Sequence, residues 1–249
     1  RVSFENGAGS DVPGLPATTF ELGFSRWPAR ETEPTPFWLG DGGTLVPDRP
    51  KGGSDGIDAW YPDPDARPQQ TLPGDGSADS WVVMPPYDWR PYVDGTAVAY
   101  ATAPLADDVT IVGPSSVDLW LRSSADDTDL QVTLSEIRPD GLETYVQSGW
   151  LRASHRKLGR AASKVFDPRH THLERDAKLL PENRFTKVRV GLLSVAHVFR
   201  KGSRIRIGVA APGGDRTRWR FDTPPTDGLV RNEIARGRRY PSRLVLPVI

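Results

Sequence analysis

The groups in this sequence able to do chemistry are a serine in a glycine frame, four histidines and a few acidic clusters. Gly52-Gly53-Ser54-Asp55-Gly56 is the one literal G-x-S-x-G match, the frame of a nucleophile elbow. An elbow needs a buried apolar strand before the serine and a helix after it, so that a strained turn projects the hydroxyl. Upstream stands Pro47-Asp48-Arg49-Pro50-Lys51, and downstream the segment cannot stay helical past Pro62, so both contexts fail. His170, His172 and Glu174 alternate, and on an extended strand they would share a face as a plausible metal set. Their segment, Asp167 to Asp176, is polar, contains Pro168 and lacks apolar alternation, which favours a loop over a metal site. His155 and His197 lie near strand ends, and neither has an obvious serine and carboxylate arrangement nearby in sequence. Asp126, Asp127 and Asp129 offer oxygens that suit calcium, but between two strands such a cluster reads first as Asx turns.

The elements around these groups are strands. Val117, Leu119 and Leu121 alternate with Asp118, Trp120 and Arg122, and Leu130, Val132 and Leu134 alternate with Gln131, Thr133 and Ser135. Ser123 to Asp129 is turn chemistry, and Pro139-Asp140-Gly141 supplies a second turn. Further strands are expected at 20–24, 37–39, 81–84, 96–100, 110–112, 144–150, 187–193, 203–210 and 243–248. A short helical turn is expected around Ser194 to Arg200. Val117, Leu119, Leu121, Leu130, Val132 and Leu134 are expected to line one inner sheet face, with Ile205, Ile207 and Val209 filling the interior. Gly and Pro, 24 each, punctuate the whole chain and favour many short strands. The pattern predicts an all-β, two-sheet sandwich, a jelly roll in one domain over 1–249. A Pro/Gly-rich excursion at 46–91 interrupts it and carries Trp81, Met84, Tyr87 and Trp89, as a loop that packs on a sheet edge or serves a ligand pocket or interface.

Composition narrows the function classes. The chain has 249 residues, with 32 Lys plus Arg against 32 Asp plus Glu, so no global charge points to nucleic acid or membrane. The arginines between Arg231 and Arg243 read as solvated surface or an interface rim. Cysteine is absent, which excludes disulfides and thiolate metal sites. The longest apolar run, Val188 to Phe199, is too short and too interrupted for a membrane span. A start at Arg1 without a signal peptide is what an excised piece of a longer product would show, and localisation is left open with the cytoplasm favoured.

Beyond pattern, the wording of several segments resembles the C-terminal β domain of the cocaine esterase/X-prolyl dipeptidyl peptidase group of serine hydrolases. FELGFSRWPARETEPTPFWLGDGGTL (Phe20 to Leu45) is similar to its opening strands. DWRPYVDGTAVAYATAPLADDVTIVGP (Asp88 to Pro114) is similar to the approach to its jelly roll. SSADDTDLQVTLSEIRPDG and SGWLRASHR match best, and FRKGSRIRIGVAA and PSRLVLPVI follow in order. The resemblance implies a galactose-binding-domain-like jelly roll that is itself non-catalytic. It implies an upstream α/β-hydrolase domain, absent from this chain, that carries the serine, histidine and acid of ester or amide hydrolysis.

That hydrolase domain is then the expected partner. The β domain would pack on it, line its substrate pocket through Trp81, Met84, Tyr87 and Trp89, and support homo-oligomer contacts. The resemblance implies no cofactor and no metal. The alternative is a free-standing β-sandwich module for a carbohydrate or a protein, which fold alone does not separate from the first reading. The failed elbow sets a test. The purified chain should show no turnover of p-nitrophenyl esters above background, and Ser54→Ala should leave any trace rate unchanged. Robust hydrolysis abolished by that substitution would reverse the assignment.

Overall fold

The computed structural model describes residues 1–5, 18–52, 56–64, 92–159, 161, 163–212, 224 and 228–249. Its elements are β1 (Val2–Glu5), β2 (Thr18–Leu22), β3 (Glu33–Gly40), β4 (Thr44–Val46), β5 (Gly56–Trp60), β6 (Ala97–Ala101), β7 (Val109–Ser123), β8 (Asp129–Ile137), β9 (Glu143–Arg152), β10 (Thr186–Phe199), β11 (Arg204–Ala210), β12 (Asn232–Arg236) and β13 (Arg243–Val248). Short 3-10 turns are the sole helical geometry among the described residues. This is the all-β sandwich that the alternation predicted.

The strands form one curled ladder whose two halves face each other across the core. One half runs β2-β1-β10-β7-β13-β3-β4, with β12 and β5 continuing from the end of β7. The other runs β6-β11-β8-β9. A single parallel bridge, Thr44 to Ala101, joins them. Strand β7 is the spine of the first half because its 15 residues give β10, β13 and β12 room to pair along it.

Val117, Leu119, Leu121, Leu130, Val132, Leu134, Ile205, Ile207 and Val209 are all fully buried in one core. Their arrangement corrects the expectation of a shared face. The β7 residues belong to one half and the β8 residues to the other, so the two sets meet across the core. The polar turn between β7 and β8 does not close a hairpin. Asp127 instead accepts the Ser154 N–H at 2.8 Å, and Ala153 N–H donates to Thr128 O at 2.9 Å, tying the turn to the end of β9.

The helical turn expected at Ser194 to Arg200 is also corrected, because β10 continues to Phe199. One extra residue between Leu192 and Val195, opposite Ser115 and Gly113, makes a bulge. The bulge breaks the alternation and leaves apolar residues on both faces of the strand end. Phe199 joins the main core, while Val198 packs with Phe4, Ala29 and Val112 in a satellite cluster. Within the stretch expected to be irregular, β5 pairs with β12 from Gly56–Arg236 to Trp60–Asn232. Asp58 hid that strand, since its charge suggested solvent, but it holds Arg236 at 2.7 Å and Tyr100 Oη at 2.6 Å.

The halves come closest where β9 runs against β10 without pairing. A Cβ built on Gly149 would fall on the carbonyl of Gly191 and lie 2.9 Å from Leu192 Cα. At Gly191 an added Cβ would meet Pro168 Cγ at 3.2 Å, a side-chain contact with some room to yield. Gly149→Ala should therefore cost about 3 kcal/mol, and Gly191→Ala distinctly less. Leu134→Ala, deep in the core, should cost about 2–5 kcal/mol. Urea unfolding of the three variants checks the order, and a neutral Gly149→Ala would refute the backbone contact.

Candidate functional site

Tyr61, inside the 46–91 excursion, and Gly95, just after it, are brought together. Tyr61 N–H donates to Gly95 O at 2.8 Å. Within the excursion, Pro62 and Pro64 line an open cleft of about 160 Å³ with Ala211, Pro212, Leu229, Asp127, Thr128 and Asp129. After it, Tyr92 lies against Gly208 on β11, where a Cβ would overlap its ring, and Arg206 stands 5.8 Å from the ring centre. Trp81, Met84, Tyr87 and Trp89 lie outside the described residues, as does Ser54. Gly56, the last glycine of the frame, opens a strand, β5, where an elbow requires a helix.

The acidic part of this lining is built as a turn. Asp127 Oδ1 accepts the N–H of Thr128 at 2.9 Å and of Ser154 at 2.8 Å, so it caps backbone donors without the bond two residues on that defines the expected Asx turn. Both oxygens of Asp129 are held by Arg152, at 2.9 and 3.0 Å. Beneath them Asn232 Nδ2 donates to Thr128 Oγ1 at 3.0 Å. Trp60 Nε1 and Asn232 Oδ1, on paired residues of β5 and β12, are buried without a hydrogen-bond partner. A hydroxyl group or a water could satisfy both, since each is the complement of the other.

The histidines separate into two environments. His197 Nε2 bonds Glu136 Oε2 at 2.9 Å, with the His197 ring edge-on to Phe199 at 4.7 Å and both residues of the pair buried. Burial works to raise Glu136, but the bond and charge of His197, with the Arg200 amide at 3.1 Å, hold it below the ordinary Glu range. No serine or threonine hydroxyl bonds this imidazole among the described residues, so the pair is a tie between β8 and β10 and not part of a triad.

The other three rings cluster, His155 to His172 at 6.2 Å and His170 to His172 at 5.6 Å. His170 bridges to Leu158, His172 sits at φ 49°, and Glu174 opens a 3-10 turn, so the three alternating residues do not share a strand face. Among the described residues no group of three His, Asp or Glu side chains is arranged to hold a metal.

Sequence reasoning missed the buried charges. Asp118 was read as an outward, solvated residue of β7, yet it is 2% exposed and receives Arg189 at 2.6 Å and Arg243 at 3.1 Å. Arg236 was read as solvated or as interface rim, yet its side chain is 14% exposed and paired with Asp58 and Asp41. Alternation alone could not find these pairs, because their partners lie up to 195 residues apart.

Among the described residues of this all-β sandwich no nucleophile–histidine–acid set is assembled. The chain belongs to the X-Pro dipeptidyl-peptidase C-terminal non-catalytic domain family, whose profile matches residues 8–245. It is 30% identical over 258 residues to a putative serine esterase of Mycobacterium bovis, covering 98% of this chain and 38% of that protein. Against the cocaine esterase of Rhodococcus sp. it is 29% identical over 248 residues, covering 90% of this chain and 39% of the esterase. Among solved structures, a CocE/NonD family hydrolase from Staphylococcus aureus superposes with TM-score 0.71 at 19% identity, over 100% of this chain and 40% of that one. An α-amino acid ester hydrolase superposes with TM-score 0.66 at 22% identity, over 87% and 36%. The chain thus spans about two fifths of the length of these proteins.

His170 gives a pH test. Burial first, then the neighbouring charge of His172, lower its pKa from 6.5 to about 4, against a weaker opposing bond to the Arg189 backbone. The folded imidazole is neutral where the unfolded one is already protonated, so stability falls as pH drops from about 6.5 to about 4. The loss should be on the order of 2 kcal/mol, discounted because the ring is partly exposed. His170→Gln should flatten that part of the pH profile of urea unfolding. An unchanged slope would show that another group carries it.

Proposed function

We propose that this chain is the structural C-terminal domain of a longer serine hydrolase that cleaves esters or amides, X-Pro dipeptidyl-peptidase-like in class. In this reading the sandwich packs on an α/β-hydrolase domain of the same polypeptide and lines part of its substrate pocket. The observation that carries it is the family match over 8–245 in a chain spanning 38% of a serine esterase relative. Catalysis belongs to the other part, where a serine attacks the acyl carbon, a histidine takes its proton, and backbone donors hold the oxyanion.

The contribution of this chain is rigidity and shape. The excursion with Trp81, Met84, Tyr87 and Trp89 is the proposed contact surface. Its described parts support that role, because Tyr61 N–H bonds Gly95 O, Pro64 lines the cleft, and Tyr92 lies against Gly208 of β11. A loop anchored on a rigid sheet can present large aromatics in a fixed place, the condition for lining another domain's pocket.

In the full-length enzyme, Trp81→Ala or Trp89→Ala should shift the ratio of kcat/KM between small and bulky acyl esters, or loosen the domain interface by about 2 kcal/mol or more. Far-UV circular dichroism of the sandwich should stay unchanged. If the tryptophan emission and quenching of the isolated chain matched those in the full-length protein, the aromatics would not face the other domain and the reading of this loop would fail.

A further inference from the structure

The outer face of the β10–β7–β13–β3 half carries a second feature, separate from the excursion. Register places Arg189, Asp118, Arg243 and Trp38 in one row across four strands, with Lys187 beside Trp120 in the next. At about 4.8 Å per strand the row spans roughly 15 Å. Its carboxylates lie underneath. Asp118 is 2% exposed and met by Arg189, Arg243 and Lys187, and Glu233 is 5% exposed and met by Arg122 and Arg231.

Two of these cations end outward, the Lys187 side chain 46% and Arg231 49% exposed, while Arg189, Arg243 and Arg122 are more deeply set. Arg49 adds a charge over Trp38 at 5.5 Å, and Arg239 one over Tyr240 at 5.1 Å. Among them lies a half-buried aromatic cluster, Tyr240 being 5.1 Å from both Trp120 and Phe185. On a chain whose charges cancel overall, seven cations over two sunken carboxylates make a local positive field.

Tryptophan, tyrosine and arginine around a half-buried centre are the residue types that dominate binding energy in protein interfaces. Arginine forks bind carboxylates with two parallel bonds, and here the forks are already oriented by ring contacts. We propose that this face seats an acidic, carboxylate-bearing surface on the remainder of the same polypeptide. The inference rests on the reading that the chain is one domain of a longer hydrolase, and it names the face and the chemistry of the contact. The choice of occupant follows from charge complementarity and from the three fifths of the related proteins that lie outside the matched region. With Lys187, Arg239 and Arg49 at the edge and Trp120 and Tyr240 at the centre, the partner's carboxylates would surround a smaller apolar contact.

Carbodiimide cross-linking of the full-length protein at low ionic strength tests this, because the reagent joins a lysine amine only to a carboxylate in direct contact. The expected product links Lys187 to an Asp or Glu outside residues 1–249, and its yield should fall several-fold in high salt. A Lys187→Glu/Arg239→Glu pair should make the junction between the parts more open to limited proteolysis as salt is lowered. If the parts stay associated while Lys187 forms no such link, the assignment of this face is overturned and the domain reading stands. If the parts do not associate at all, the domain reading falls with it. A link between two copies of the chain, or salt-sensitive retention on single-stranded oligonucleotide by the intact protein, would also overturn the proposal. The wild-type cross-link decides the matter even if the double variant does not fold.

Discussion

Where β9 passes over β10 the two backbones touch, and that contact sets the thickness of the sandwich at one edge. Facing sheets ordinarily stand about 10 Å apart, with side chains between them. At Gly149 there is no side chain to interpose, and the carbonyl of Gly191 takes its place. The sandwich therefore tapers. It is wide where Leu119, Leu134 and Ile207 interdigitate, and closed where Gly149 meets β10. The cleft between Pro62, Pro212 and Leu229 lies at the end of β8 and β11 marked by Asp129 and Ala210, three residues along β8 from Val132, the partner of Gly149. The same turn that ties β8 to the end of β9 through Asp127 and Ser154 thus also lines the cleft.

Charge is handled in the same economical way. Buried carboxylates are costly unless fully bonded, and each one here ties strands that hydrogen-bond ladders alone would not fix. Asp118 gathers side chains from β10 and β13 onto β7. Glu136 reaches from β8 to His197 and the Arg200 amide, linking the two halves. Asp58 joins β5 to β6 and β12 through Tyr100 and Arg236, and burial together with the Asp58 charge pushes the Tyr100 phenol far up, so it remains a donor throughout the ordinary pH range. Such ties add little net stability compared with apolar replacements, but removing one partner leaves a charge stranded. Their effect is to define register and the angle at which the strands meet.

How legible was this in the sequence? Strands with clean alternation could be read closely, as at β8, β11 and β13, although β8 and β13 are buried on both faces. β7 was read as two pieces, because Gly113 and Pro114 look like a break, yet Gly113 takes φ 125° inside a continuous strand. The three-to-five-residue strands β1, β4, β5 and β12 were missed, since so few residues hold no measurable period and their pairing is decided by distant partners. The choice of half for β8 was illegible for the same reason. A polar turn of that length suits a hairpin or a crossing equally, and only the bonds from Asp127 and Thr128 to the end of β9 decide it. The family wording carried the functional reading, whereas local motifs such as the glycine frame at Gly52 would have misled.

A domain without its own catalytic set still shapes a reaction if it fixes where large groups stand. The tapered core, the buried ion ties and the bond from Tyr61 to Gly95 all act against relative motion of the parts from which the excursion springs. On the other half, the outward arginines around Trp120 and Tyr240 are held by rings and by sunken carboxylates, so less side-chain entropy remains to be lost when they bind. The outward cations and the described flank of the excursion at Tyr92, which lies against β11, therefore share one physical property, a fixed position on a sheet, and they lie on opposite halves of the sandwich. A domain gripped at both would be clamped in orientation as well as position. Clamping of that kind is what a pocket wall contributed from a separate domain requires.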